Sequence, residues 1–193
     1  MPQGLGPVRA WTWAWMREWL LALALGLGAA PALAQGVELL TLQATRDDGA
    51  VSLEFAARVS LPRAVEDALQ KGVPLYFVAE ARLLRNRWYW RDERVARLSR
   101  SWRLAFQPLT GAWRVSLGGL HQSYASLDEA LAAVSRAGAW KLIDAERLDR
   151  DASYYVEFNY RLDSSQLPGP MQFGLGGGAD WTLGVSRTLR IDP

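Results

Sequence analysis

The sequence predicts a β-rich α+β domain, an antiparallel meander sheet or sandwich covered by two short amphipathic helices. Three observations support this fold class. Apolar and polar residues alternate with a period of two in several segments, which is typical of strands with one buried face. Turn residues separate these segments. Two short stretches, after Ser60 and after Ser126, have apolar residues at helical spacing behind a capping residue.

The first predicted elements are a hairpin and a helix. Asp47-Asp48-Gly49 is a turn signal between a strand at about 37–44 and a strongly alternating strand at 51–60. Ser60 is predicted to cap a helix with Pro62 in its first turn, and Gly72 is predicted to end that helix. Its stripe of apolar residues predicts that it packs on a sheet.

Two alternating strands follow, one at about 75–83 and one at about 98–106, and a turn at 108–111 leads to a strand at 113–117. A helix over residues 95–105 is the alternative. If the strands pair, their apolar faces must coincide. The side chains then predicted to be buried are Phe77, Leu83, Trp102 and Phe106. Those predicted on the opposite side are Glu80, Arg82, Trp88, Arg97 and Arg103, with Trp88 near Arg97 at the hairpin tip.

The remaining elements are a second helix and further strands. Ser126 and Glu129 form a capping box for the helix, which Gly138 is predicted to end. A short extra strand is predicted at 140–143, a strong one at 154–162 and a last one from Trp181. The sequence thus predicts one domain over residues 35–193, with a glycine-rich loop near 174–178.

Residues 1–34 predict a secretory signal peptide. Arg9 and Arg17 precede a short apolar run, which closes on the small-residue pattern Ala32-Leu33-Ala34. Cleavage there would leave Gln35 first and place the protein in the periplasm. A retained inner-membrane anchor is the alternative. Because the chain has no cysteine, disulfides, thiol catalysis and a lipoprotein anchor are excluded.

A basic, aromatic stretch is the candidate contact patch. The segment from Arg82 to Arg103 holds eight arginines and only two carboxylates, Asp92 and Glu93. The candidate binding residues are Arg85, Arg87, Trp88, Tyr89, Trp90, Arg91 and Arg97. Tryptophan, tyrosine and arginine dominate interface anchors, which favours a contact surface. The alternative is a structural corner in which another loop covers the tip and arginine stacks on tryptophan.

Signs of catalysis are sparse. His121 is the one histidine, which excludes a metal site of several histidines, and no nucleophile elbow surrounds any serine. His121 is a further candidate residue, although a hydrogen-bonded loop position before the capped helix is the simpler interpretation. The glycines at 174–178 lack both nucleotide-binding fingerprints. We therefore predict no catalytic residue, metal or cofactor, and the sequence leaves open a hydrolase with an unrecognised carboxylate pair.

Over residues 37–185 the chain resembles the proteobacterial domain-of-unknown-function family 4390. The resemblance is carried by three stretches, "KGVPL", "WYWRDE" and "GLHQSYASLDEA". The glycine-rich segment and the chain end depart from that family's pattern. The resemblance implies an exported envelope protein without established activity, encoded near a membrane sensor kinase and so linked to signalling. We expect a non-catalytic binding or interaction module, with an envelope protein or the membrane surface as partner and no nucleic acid. The alternatives are a periplasmic hydrolase and a membrane-anchored surface domain.

Overall fold

The computed structural model describes residues 36–47, 49–87, 89, 91–149, 151–166 and 181–191. In the order of the chain, the main elements are β1 (Gly36–Asp47), β2 (Ala50–Ser60), α1 (Arg63–Gln70), β3 (Leu75–Arg85), β4 (Glu93–Gln107), β5 (Ala112–Leu117), β6 (Leu120–Tyr124), α2 (Leu127–Val134), β7 (Arg136–Asp144), β8 (Tyr154–Leu162) and β9 (Gly184–Ile191). Short 3-10 turns follow β7 at Ala145–Arg147 and β8 at Ser164–Gln166. None of the helices in these ranges is long and apolar enough to cross a membrane.

The strands form two antiparallel sheets that face each other. The small sheet has the order β1-β2-β7, and the large sheet has the order β6-β5-β4-β3-β8-β9. Phe55 of β2 contacts the rings of Trp102, Phe158 and Tyr160, which lie on two strands of the large sheet. Both helices contribute to the same core, through Val65 and Leu69 of α1 and through Ala130, Leu131 and Val134 of α2. The predicted fold class, a β-rich α+β sandwich with two short helices, is confirmed.

Alternation sets the inner face of the large sheet. On β3 the residues at every second position from Leu75 to Leu83 have no exposed surface. Trp102 is also buried, so three of the four side chains predicted to be buried are confirmed. Phe106 is only partly buried, because it lies near the end of β4, where its ring packs against Trp113 at 4.6 Å. The alternative of a helix at 95–105 is wrong, since β4 pairs with β3 and with β5.

The predicted ends of the helices need correction. Ser60 is the last residue of β2, and the N-cap of α1 is Pro62, which has no side-chain cap. Gly72 does follow α1, with a φ of 89° that favours glycine. Gly138 does not end α2. The helix stops at Val134, and Gly138 lies inside β7, a longer strand than the one predicted at 140–143.

The cap of α2 provides a direct test of the local structure. Ser126 Oγ accepts a hydrogen bond from the Glu129 amide at 3.2 Å, as the capping box predicted. Ser126→Ala leaves that amide without its partner and is expected to lower the free energy of unfolding by about 1 kcal/mol. Urea denaturation measures it. Ser101→Ala, at an exposed position of β4, is the control. Equal stability of the two variants would contradict a stabilising cap.

Candidate functional site

The outer face of the large sheet is the candidate site. Directly paired residues on neighbouring strands point to the same side, so the register defines this face from Tyr76 to Leu84 on β3 outward. The charged strand residues on it are Arg82, Arg94, Arg97, Arg103, Arg114, Arg161, Arg190, Glu80 and Glu157. We call this surface the basic face. Both helices pack into the core on the other side, and no described element covers the basic face.

A buried carboxylate lies at the centre of the basic face. Glu80 is only 7% exposed. Arg82 Nε donates to its Oε1 at 2.6 Å, and Arg97 Nη2 donates to its Oε2 at 2.9 Å. The hydrogen bonds from Arg97 and then Arg82 lower the pKa of Glu80, and they outweigh the opposing effect of burial. Glu80 is therefore ionised at neutral pH and holds two arginine heads in fixed positions.

The ion pairs extend onto β8, and neutral hydrogen bonds continue from there onto β9. Arg82 Nη1 lies 3.5 Å from Glu157 Oε2. Next to this pair, Arg161 donates to the Asn159 side-chain oxygen at 3.1 Å, and the Asn159 amide donates to Ser186 Oγ at 2.7 Å. These residues line a shallow depression of about 480 Å³. Polar side chains are thus fixed by their neighbours across three strands, while the guanidinium groups still face the solvent.

Four further arginines surround this network. They are Arg94, Arg103, Arg114 and Arg190, and none of them forms an ion pair with a carboxylate in the described part of the chain. The basic face therefore has a central network in which charges are partly compensated and a periphery of uncompensated cations. A surface of this kind attracts anionic partners over distances of about a Debye length, roughly 8 Å in physiological salt.

The predicted contact patch at the β3–β4 tip is only partly brought together. In the β3–β4 register, Arg97 lies directly opposite Arg82. It therefore belongs to the basic face and lies several residues from the hairpin tip. Arg91 and Tyr89 are exposed, with Tyr89 at 68%. Trp88 and Trp90 lie outside the described residues. The predicted approach of Trp88 to Arg97 stays a prediction.

The two other arginines of the patch are engaged in ion pairs. Arg85 Nη2 lies 2.7 Å from Asp149 Oδ2, and Arg87 forms an ion pair with Glu93. The tip is further fixed by Asp92, which accepts from the Arg87 amide at 3.1 Å and from the Tyr155 hydroxyl at 2.5 Å. The charge of the tip is therefore more balanced than the count of arginines in the sequence indicates.

The Tyr155–Asp92 hydrogen bond shifts both groups. The Tyr155 hydroxyl, more than the Arg87 amide, lowers the pKa of Asp92, and the carboxylate raises the pKa of Tyr155 to about 12. In Tyr155→Phe we expect the pKa of Asp92 to rise toward its ordinary value, because the larger of its two donors is lost. An NMR titration of the Asp92 carboxyl carbon measures this. An unchanged pKa would show that the tyrosine does not hold the tip.

His121 lies on β6, where it pairs with Ser116 of β5. Its Nδ1 is 2.8 Å from Ser116 Oγ, so the predicted hydrogen bond is present, although the residue is in a strand and not in a loop. Its hydrogen-bond partner is a serine rather than an orienting carboxylate. Within the described ranges, no group of three or more His, Cys, Asp or Glu residues is placed to hold a metal ion.

Fold and site together define a β-sandwich domain with an arginine-rich outer face on its large sheet. The chain belongs to the family of the domain of unknown function DUF4390, whose model matches residues 34–190. Comparison with curated proteins and with solved structures gives no significant match.

Proposed function

We propose that this protein is an exported, non-catalytic interaction module of the cell envelope and that the basic face is its contact surface. One observation carries the proposal: seven arginines share a sheet face, left open by the elements that the structure describes, around the buried carboxylate of Glu80. Such a face provides many donors and a positive field. The family resemblance adds an accessory role in membrane signalling to this proposal.

On the basic face, the state of the two carboxylates supports binding over hydrolysis. A glycosidase or aspartic-type hydrolase needs two carboxyl groups with different pKa values across a cleft. On the basic face, Glu80 and Glu157 both interact with the same arginine, Arg82, and the pKa of Glu80 is lowered. A lowered pKa leaves Glu80 without the proton that a general acid must donate at neutral pH.

Export rests on residues 1–34, which lie outside the described structure. The first strand begins at Gly36, so cleavage after Ala34 leaves β1 complete. We expect the protein recovered from the periplasm to begin at Gln35. Mass spectrometry of the intact exported protein measures this. Retention of residues 1–34 would contradict cleavage and favour the membrane-anchored surface domain.

A pair of matched variants tests the contact surface. The face variant replaces Arg94, Arg103, Arg114 and Arg190 with glutamine. The control variant makes the same charge change at exposed positions outside the large sheet: Arg63, Lys71, Arg136 and Arg147. We expect the exported wild-type protein and the control variant to co-sediment with an isolated envelope fraction and the face variant to remain in the supernatant. Equal binding of the two variants would refute the basic face as the contact surface.

A further inference from the structure

We infer that the basic face binds the phosphate headgroups of an anionic lipid bilayer. The inference rests on the proposed function and names the partner of the same face. Three features of the basic face support it: the distances between the arginines, the ion network at its centre, and the hydrogen-bond donors on its surface.

The arginines are too widely spread for one small anion. Arg114 on β5 and Arg190 on β9 are four strands apart in the sheet, which corresponds to roughly 19 Å at the usual strand spacing. Along β4, Arg94 and Arg103 are nine residues apart, roughly 30 Å at the usual rise per residue. A ligand that uses both ends of this face must itself present several anionic groups over a comparable area. A bilayer surface does so.

The centre of the face distinguishes a bilayer from a protein partner. Stable protein interfaces have an apolar or aromatic centre that excludes water. Here the centre is the Glu80 ion network, and the apolar outer residues Val78 and Ala105 are themselves 9% and 6% exposed. The larger outer side chains, Tyr76 at one end of β3 and Leu84 with Tyr155 at the other, are only partly exposed, so no large apolar anchor lies at the centre of the face. Headgroup binding needs none, because it depends on summed electrostatic attraction.

The donor set matches phosphate. A guanidinium group presents a planar fork that can bind two phosphate oxygens, and arginine is more weakly hydrated than lysine. Exposed hydroxyl groups of Ser99, Ser101 and Thr188 lie in the rows between the arginines. At the Arg94 end of the face, the hairpin tip carries the exposed Tyr89, an amphipathic ring of the kind that is enriched at headgroup level.

The test is vesicle co-sedimentation of the purified exported protein. One set of vesicles contains phosphatidylglycerol in phosphatidylcholine, and the other contains phosphatidylcholine alone. We expect binding to the anionic vesicles only, with an affinity that falls as salt is raised. Because each surface cation contributes about fivefold in affinity, the face variant should bind about 10²–10³-fold more weakly. The control variant should stay within about threefold of wild type.

Two double variants distinguish a loss of lipid binding from a loss of folding. Arg94→Gln/Arg190→Gln and Arg103→Gln/Arg114→Gln should each weaken binding by about 25-fold with unchanged thermal melts. Equal binding to both kinds of vesicle would overturn the inference, as would salt-insensitive binding.

Binding measurements with other anionic ligands distinguish a failure of this inference from a failure of the proposed function. Failure on vesicles, combined with face-dependent binding to soluble polyaspartate or dextran sulfate, would overturn the lipid partner and leave the basic face as a contact surface. Displacement from vesicles by millimolar inorganic phosphate would show a site for a single anion and would also overturn it. If the face variant behaves like wild type with envelope, vesicles and soluble polyanions, both proposals fail.

Discussion

Replacing Phe55 with alanine is expected to lower the free energy of unfolding by about 3–5 kcal/mol, the range for a buried aromatic side chain. Phe55 is 1% exposed and comes from the small sheet. Its ring centroid lies 4.8 Å from Phe158, 5.5 Å from Tyr160 and 6.2 Å from Trp102, all on the large sheet. The substitution therefore removes the side chain at which the two sheets meet and leaves a cavity between them.

Urea denaturation of the purified domain measures the loss. Phe55→Leu keeps part of the volume and should fall between wild type and Phe55→Ala. Leu109→Ala is the exposed control, since Leu109 lies in a turn at full exposure, and it should change stability by less than about 0.5 kcal/mol. A loss below about 1 kcal/mol for Phe55→Ala would contradict the packing of the two sheets on this ring.

Tyr160 places a hydroxyl group inside the same core, where the residue has no exposed surface. Tyr160 donates to the carbonyl oxygen of Val134 at 3.1 Å, which joins β8 of the large sheet to the end of α2. Burial raises the pKa of Tyr160, so the hydroxyl stays protonated and continues to donate. The loss in Phe55→Ala is consequently not confined to one contact, because the ring of Phe55 helps to position Tyr160.

Local periodicity is sufficient to predict the central strands. In β2, β3 and β8 the alternation of apolar residues is regular, and the inward positions at 51–57, 75–83 and 154–162 are buried. On the outer side of β3, Val78 and Glu80 are buried as well. Because a strand with one buried face has a period of two, the pattern gives the strand and its inward side at the same time. No knowledge of distant partners is required.

Irregular or exposed strands could not be predicted in this way. In β7 the pairing with β2 shifts register between Leu53 and Phe55, and Ala139 has a positive φ of 47°. These irregularities break the alternation, so the sequence shows only residues 140–143 as strand-like. The edge strand β6 is exposed at four of its five positions and has no apolar alternation to detect.

The candidate site was predictable only as far as one hairpin extends. The alternation of apolar residues along the two strands predicted one shared side for Glu80, Arg82, Arg97 and Arg103. The β3–β4 register confirms this. The contributions of β8 and β9 depend on pairing between segments far apart in sequence, which no local pattern specifies. Likewise, the ion pair of Arg85 with Asp149, 64 residues away, changed the interpretation of the tip.

Glu80→Gln is expected to lower the free energy of unfolding by about 2 kcal/mol at pH 7, because charge-assisted hydrogen bonds contribute about 1.5–3 kcal/mol. The amide keeps the shape of the side chain but has no charge for Arg82 and Arg97. Those arginines are 46% and 56% exposed at their side chains, so water compensates part of the loss. Glu38→Gln, in an ion pair with Arg58 that is 65% exposed on both sides, is the control and should change stability little.

The effect of Glu80→Gln should depend on pH in one direction. Since the folded protein lowers the pKa of Glu80 from its ordinary value of 4.5, the ionised form contributes stability that is complete above that value. The contribution is lost as the pH falls through the lower, folded-state pKa. The difference between wild type and Glu80→Gln should therefore be constant near neutrality and shrink below about pH 4.5. A difference that grows on acidification would contradict the assigned shift.

The same substitution should change lipid binding in the opposite direction from stability. Removing one negative charge from the centre of the basic face makes that face more positive, so Glu80→Gln should bind phosphatidylglycerol vesicles up to about fivefold more tightly. A variant that merely loosened the sheet would bind less well. Weaker vesicle binding by a folded Glu80→Gln protein would mean that fixed arginine positions, rather than net charge, determine binding. Tighter binding together with lower stability would show that Glu80 stabilises the sheet at the expense of its attraction for anions.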